Sequence, residues 1–370
     1  MKLKADTEAL HEAFQYSGSV ITSSMPHAVY ENVKLTATAE GVWLSATDME
    51  VGIKVVIPDV EVEEEGTILL REDNVSKILG ATPDEEIALE TEEDVAFIRS
   101  SDSEFRLLTH PAEEFEDVNE PAEKGYIEID PELLRYMVRR TRFAAAEERG
   151  RYALHGILIE VEESGDLHMV AADGARLSLV KKKADNPDEL AFESIVPTKG
   201  MEQLSKLAAL SNEPLRVQVT DSELLAANDA GCVSCLLVEG QFPDYKNIIP
   251  DNPTVKMELP VQPLLNAVRR ASYMTTRDTR AADFLLSANQ LTIKAESPEL
   301  GEARVTVPVE YEDEDVEITL NPEYVEDMLR VTERESVKLE FNCDGSPCAL
   351  KSGYDYTYLI SPVVREEAEV

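Results

Sequence analysis

The chain has 370 residues, an ordinary 43% hydrophobic content, and 74 acidic against 35 basic side chains, for a net charge of −39. That length suggests two or three domains of about 150 residues each, and on its face the charge argues against DNA as a partner, since like charges repel. Four cysteines do not make a disulfide framework, no window approaches the roughly 18 apolar residues of a membrane span, and MKLKADTEAL lacks the apolar run of a secretory leader, so a cytoplasmic protein is expected.

In chain order, Leu3–Ile21 reads as a short strand followed by a helix. Val33–Thr38 and Val42–Ala46 alternate apolar and polar residues around Glu40-Gly41, the pattern of a hairpin. The turn Ala46–Glu50 and a strand over Gly52–Ile57 follow. Glu61–Gly66 reads as an acidic turn, Ile68–Leu70 as a strand and Glu72–Leu79 as a helix. Strands are predicted over Ile87–Glu90, Ala96–Ser100 and Phe105–Thr109.

Ile127–Ala145 then repeats the opening strand–turn–helix. Pro131 suits the first helical position, where its missing N–H costs nothing. Leu133, Leu134, Met137 and Val138 share one side of that helix, while Arg135, Arg139 and Arg142 share another. The hairpin Gly156–Val161 and Leu167–Ala171 leads into Ala171–Leu177, which stands 125 residues after the Ala46 turn. A strand at Ser194–Val196, a helix at Lys199–Leu210, and strands at Leu215–Val219, Leu224–Asn228 and Cys232–Val238 complete this copy.

A third copy opens at Met257–Thr275. It continues with strands at Phe284–Ser287, Gln290–Ala295, Ala303–Tyr311 and Ile318–Leu320, a helix at Pro322–Val331, and strands at Val337–Asn342, Ala349–Ser352 and Tyr356–Ser361. The copies start 127 − 3 = 124 and 257 − 127 = 130 residues apart. Three like α+β domains in tandem, at 1–124, 125–252 and 253–370, are expected, each a doubled strand–helix–strands unit. Basic residues concentrate at repeated positions. Besides the stripe in the second copy, Arg269, Arg270, Arg277 and Arg280 cluster in the third, so an acidic protein can still carry a local positive surface.

No catalytic constellation emerges. There is no GxxxxGK or GxGxxG, and the five histidines lack paired metal spacing. Asp48 and Asp173 recur at matched turns, where short acidic side chains commonly hydrogen-bond their own backbone. Cys232 and Cys235, with Cys343 and Cys348, mimic a four-thiolate set. The first pair lies in an alternating strand and points to opposite faces, and the two pairs sit in different copies. No metal or cofactor is expected; a disulfide across the Cys343–Cys348 hairpin is the weaker reading for the second pair.

The pieces MKLKADTEAL, LSATDMEVGI at 44–53, RYALHGILIE at 151–160, AADGARL at 171–177, VPTKGMEQL at 196–204, EGQFPDY at 239–245 and TYLISPV at 357–363 carry a resemblance over the whole length. In order and spacing they are similar to the bacterial DNA polymerase III β subunits, the sliding clamps. The resemblance implies a non-enzymatic processivity subunit with the DNA-clamp fold. Two chains would close head to tail into a homodimeric ring around double-stranded DNA, helices inside and sheets outside. Sequence-independent phosphate contacts would suffice for such a ring.

The same resemblance implies a hydrophobic pocket for short peptides at Leu154, Gly174, Arg176, Leu177, Pro243, Ile248, Asn321, Tyr324, Ser361, Pro362 and Val363. Its partners would be the DNA polymerase III α subunit, the clamp loader, and other polymerases and repair proteins. Ala172 and Ala175 replace the family's usual Thr and His, which shifts expected binding toward apolar anchors. Residues 364–370 extend past the family's usual end. The DNA-facing set is Arg135, Arg139, Arg142, Arg149, Tyr152 and Lys199; the loop Ser17–Pro26 lacks the basic residue often found there. Phe105, Leu107, Arg270 and Tyr273 are placed at the dimer interface. Two other classes compete: a repeat-built interaction scaffold that never encircles DNA, and an enzyme using Asp48, Asp173 or the cysteines.

Overall fold

The computed structural model describes residues 1–22, 27–147, 153–250, 252–276 and 280–363. Its helices are α1 (Thr7–Gly18), α2 (Glu72–Ala81), α3 (Pro131–Thr141), α4 (Thr198–Leu210), α5 (Val261–Ser272) and α6 (Pro322–Val331). The chain divides into two compact units. The first holds Met1–Arg135, Glu162–Gly165 and Ala184–Val238; the second holds Tyr136–Val161, Asp166–Lys183 and Glu239–Val370.

In the first unit an antiparallel sheet of eight strands runs in the order 127–129, 215–219, 223–228, 231–236, 51–57, 41–47, 32–38, 66–71. It is continuous across the first two sequence copies because 231–236 pairs with 51–57, Val233 opposite Ile53. A second sheet of five runs 61–64, 2–6, 86–92, 95–99, 104–108. α1 starts where Asp6 accepts a hydrogen bond from the Ala9 N–H at 2.8 Å. It buries Leu10, Ala13 and Phe14 and packs against α2.

The second unit repeats the plan. Strands 156–161, 166–172, 176–183, 356–360, 348–352, 336–341 and 255–260 follow one another in one antiparallel sheet. Here 176–183 pairs with 356–360, Leu177 opposite Leu359, so the second and third copies also share a sheet. A sheet of four runs 301–308, 290–297, 282–287, 316–320. α6 begins at Asn321, whose side chain accepts from the Glu323 N–H, with Pro322 in the first turn.

Three local expectations differ from the structure. Glu61–Glu64 is a strand rather than a turn: Lys2 and Lys4 on the neighbouring strand meet Glu63 at 2.7 Å and Glu61 at 3.5 Å, so the acids are cross-strand partners. The strand Arg176–Lys183 went unread because the turn before it dominated the pattern. The strand expected to reach Tyr311 ends at Pro308, whose nitrogen cannot donate to a ladder. The four cysteines are free. Burial pushes the Cys232 and Cys235 thiols up to about 12, which makes them inert packing groups.

Gly231 shows how tightly the first two copies are joined. Its φ is 150°, and a Cβ there would meet the Lys54 carbonyl oxygen at 2.0 Å. Gly231→Ala is therefore expected to destabilise by about 2 kcal/mol or more. Gly345→Ala also sits at positive φ but has open space around it, and should cost only about 1 kcal/mol. Urea unfolding of both variants measures the difference.

Candidate partner-binding site

The site is built around one turn. Asp173 Oδ1 accepts the N–H groups of Ala175 at 2.9 Å and Arg176 at 3.0 Å, and Gly174 supplies a φ of 96°. Asp48 does the same for Glu50 and Val51, which accounts for the recurrence of the two aspartates. The turn sends the chain into strand 176–183 and fixes Arg176. That guanidinium donates to Asp173 Oδ2 at 2.9 Å, Asp327 Oδ2 at 2.6 Å and the Phe143 carbonyl at 2.8 Å. It also lies 4.4 Å over the Tyr324 ring.

Beside the turn is an apolar cleft. Of the residues implied by the resemblance, Leu154, Gly174, Arg176, Leu177, Pro243, Ile248 and Ser361 line it. Leu177 is only 4% exposed and forms the floor, whereas Ile248 at 40% stands at the mouth. Ala172 and Ala175 also line the cleft, as do Pro347 and Leu359, which the sequence reading did not place there. Pro347 was hidden in a hairpin read only for its thiols. Leu359 is recoverable from the repeat, being the cross-strand partner of Leu177.

Asn321, Tyr324, Pro362 and Val363 lie outside the lining. Asn321 is buried capping α6, Tyr324 backs Arg176, and the Val363 N–H bonds the Thr319 carbonyl at 2.9 Å.

The wall carrying Pro243 and Ile248 is tied down by Glu160. Tyr245 donates its hydroxyl to this carboxylate, Lys246 Nζ reaches it at 3.0 Å, and His168 Nδ1 lies at 3.6 Å. Burial would raise the Glu160 carboxyl, but the hydrogen bonds from Tyr245 and Lys246 and the adjacent positive charge outweigh it and hold it below its ordinary value.

The arginine stripe of α3 is exposed as expected at Arg135, Arg139 and Arg142, the last in a short 3₁₀ turn after the helix. Leu134, Met137 and Val138 are buried. Arg139 also reaches Glu333 at 3.3 Å. Arg140 is buried instead, stacked 3.5 Å from the Tyr136 ring centre and 3.4 Å from Glu333. The Lys199 ammonium is held by the Val20 carbonyl at 2.7 Å and by Asp48. Arg149 and Tyr152 lie outside the described residues, as do residues 23–26 of the Ser17–Pro26 loop and the extension 364–370.

Phe105 and Leu107 lie on strand 104–108, at the edge of the five-stranded sheet, with Phe105 and its neighbour Leu108 exposed. Arg270 and Tyr273 are exposed at the end of α5, Tyr273 by 71%. In the second unit strand 301–308 is likewise an edge, a feature the sequence reading did not mark.

Compared with known proteins, the chain matches three family models: the DNA polymerase III beta subunit N-terminal domain over residues 1–119, central domain over 128–244 and C-terminal domain over 246–363. It is 28% identical to a Beta sliding clamp of Pseudomonas putida, with 98% of this chain and 100% of that one covered. It is 29% identical to a Beta sliding clamp of Haemophilus influenzae over the same shares. Among solved structures it is similar to the DNA polymerase sliding clamp from Bacillus subtilis, with TM-score 0.92, 26% identity, and 99% of this chain and 100% of that one covered. It is also similar to the sliding clamp from Pseudomonas aeruginosa bound to griselimycin, with TM-score 0.91, 29% identity and the same coverage.

Because the Glu160 carboxyl is held low in the folded chain, its contribution is complete above the unfolded value of about 4.3 and is lost as pH falls through the lower folded value. Glu160→Gln should unfold more easily than the parent at neutral pH by about 1–3 kcal/mol. The gap should close in acid, which unfolding midpoints measured across the acid range will show.

Proposed function

The chain belongs to the DNA polymerase III beta subunit family and is a DNA sliding clamp; from that premise we propose that two copies close into a ring around duplex DNA and hold a polymerase there through the cleft at Leu177 and Ile248. The observation that carries this reading is the cleft itself. An apolar concavity beside an arginine-bearing turn suits the anchor side chains of a short peptide. The polymerase α subunit and the clamp loader are the proposed owners of such peptides, with other polymerases and repair proteins competing for the same place.

The domains are taken as 1–124, 125–252 and 253–370, and the protein as a cytoplasmic processivity subunit without a catalytic site of its own. No helix among the described residues is long and apolar enough to cross a membrane. Arg135, Arg139 and Arg142 are assigned to face DNA phosphates, with Arg149 and Tyr152 added from the family resemblance. The charge pattern supports this, since a basic stripe exposed on a chain of net charge −39 makes a locally positive surface that suits phosphates. Lys199, held by Asp48, is given a smaller part.

Ring closure is assigned to the edge strand 104–108 of one protomer meeting the edge strand 301–308 of its partner, with Phe105, Leu107, Arg270 and Tyr273 packing around the joint. Two open sheet edges flanked by exposed aromatics support that pairing. Phe105→Arg should leave a folded monomer, and light scattering at micromolar concentration measures it; an unchanged dimer mass would place the joint elsewhere.

The cleft is tested with a fluorescein-labelled peptide carrying Gln followed by Leu and Phe anchors. Ile248→Asp puts a charge at the exposed mouth without disturbing the floor, and should weaken binding by about tenfold or more while the ring stays closed. Leu177→Asp should abolish binding, but because Leu177 is buried its unfolding midpoint must be measured alongside. Equal affinity for the parent and the Ile248→Asp variant would locate the partner site elsewhere.

A further inference from the structure

The repeat that builds the cleft builds a second groove in the first unit. The two are related position by position. Adding 125 to Thr47, Glu50 and Gly52 in the groove yields Ala172, Ala175 and Leu177 in the cleft. The same shift carries Val118, Ser234 and Leu236 onto Pro243, Leu359 and Ser361. Even the turn geometry recurs, with Met49 at φ 74° where Gly174 has φ 96°.

The chemistry of the second groove is different. Gly52 stands where Leu177 makes the floor of the cleft, and a Cβ on Gly52 would come within 2.7 Å of Ser234 Oγ and 3.3 Å of the Val118 methyls, so the serine side chain fills the place a larger residue would take. Ser234 is only 9% exposed and lines the base of the groove. A nearly buried hydroxyl at the base of a groove is a ready polar contact for a bound chain.

Glu50, Glu116, Asp117 and Glu223 surround it. Lys34 pairs with Asp117 at 2.7 Å, and Asn119 holds the Glu223 carboxylate at 3.0 Å. The exposed side chains of Met49 and Leu236 supply apolar surface on the same rim.

We propose that this groove is a second docking site, which takes a short partner segment bearing Lys or Arg beside an apolar anchor. Charge decides the occupant. Four carboxylates against one paired lysine leave the groove net acidic, which repels nucleic acid and acidic peptides and favours a cationic chain, while Met49 and Leu236 give its apolar side chain a place to rest. The inference goes beyond the polymerase-binding cleft and does not depend on it, because the two grooves are lined by different residues and can be disabled separately.

The test uses the full chain carrying Ile248→Asp, so that the apolar cleft does not contribute. A fluorescein-labelled Lys-Leu-Lys-Phe-Lys peptide is titrated by fluorescence anisotropy at low salt, with Glu-Leu-Glu-Phe-Glu as the matched acidic probe. Saturable binding of the basic peptide alone is expected. Adding Leu236→Ser and Glu223→Lys should weaken it by about tenfold, with the unfolding midpoint unchanged. Glu163→Lys, the same charge change outside the groove, should leave it within about twofold. The proposal is overturned if binding is absent, if the acidic peptide binds equally, or if Glu163→Lys weakens binding as much as the groove variants, since that would mean general attraction to a chain of net charge −39.

Discussion

Strand pairing across the sequence copies is the interaction on which the rest of this molecule depends. In the first unit strand 231–236 of the second copy lies against 51–57 of the first; in the second unit 356–360 of the third copy lies against 176–183 of the second. Each copy on its own would expose a long sheet edge, which is both unstable and prone to wrong pairing. Joined, the edges become the interior of continuous sheets. The compact units therefore do not coincide with the three sequence copies.

The same pairing creates the binding surfaces. Strands 51–57 and 176–183 each start from an aspartate turn, at Asp48 and Asp173. A concavity forms where that turn, the partner strand of the next copy and the chain between copies converge. In the second unit Leu177 and Leu359 make it apolar; in the first, Gly52 and Ser234 stand in their places and carboxylates form the rim. One backbone plan thus yields two sites of different chemistry, through side-chain changes at equivalent positions.

Much of this was legible in the sequence. The helices and the threefold repetition follow from periodicity, and the arginine stripe of α3 from its spacing, because helical faces are local properties. The aspartate turns were readable for the same reason. The strand nature of Glu61–Glu64 was not, since it depends on Lys2 and Lys4 arriving from a distant segment. The burial of Arg140 amid exposed neighbours depends on Tyr136 and Glu333, which only the fold brings together. Leu359 and Pro347 entered the cleft through tertiary pairing, and Lys199 meets Asp48 in the same way. The second groove was encoded in the 125-residue offset all along, but an offset alone does not show that a concavity forms.

Enclosure of DNA, rather than affinity for it, is the central claim, and topology separates the two. The protein is loaded onto nicked circular duplex by the clamp loader proposed as its partner and passed through a sizing column, and the circle is then cut once. A closed two-chain ring co-elutes with the circle and is released on linearisation, because weak phosphate contacts allow it to slide off a free end. Equal retention on circular and linear DNA would contradict enclosure and leave ordinary binding as the explanation.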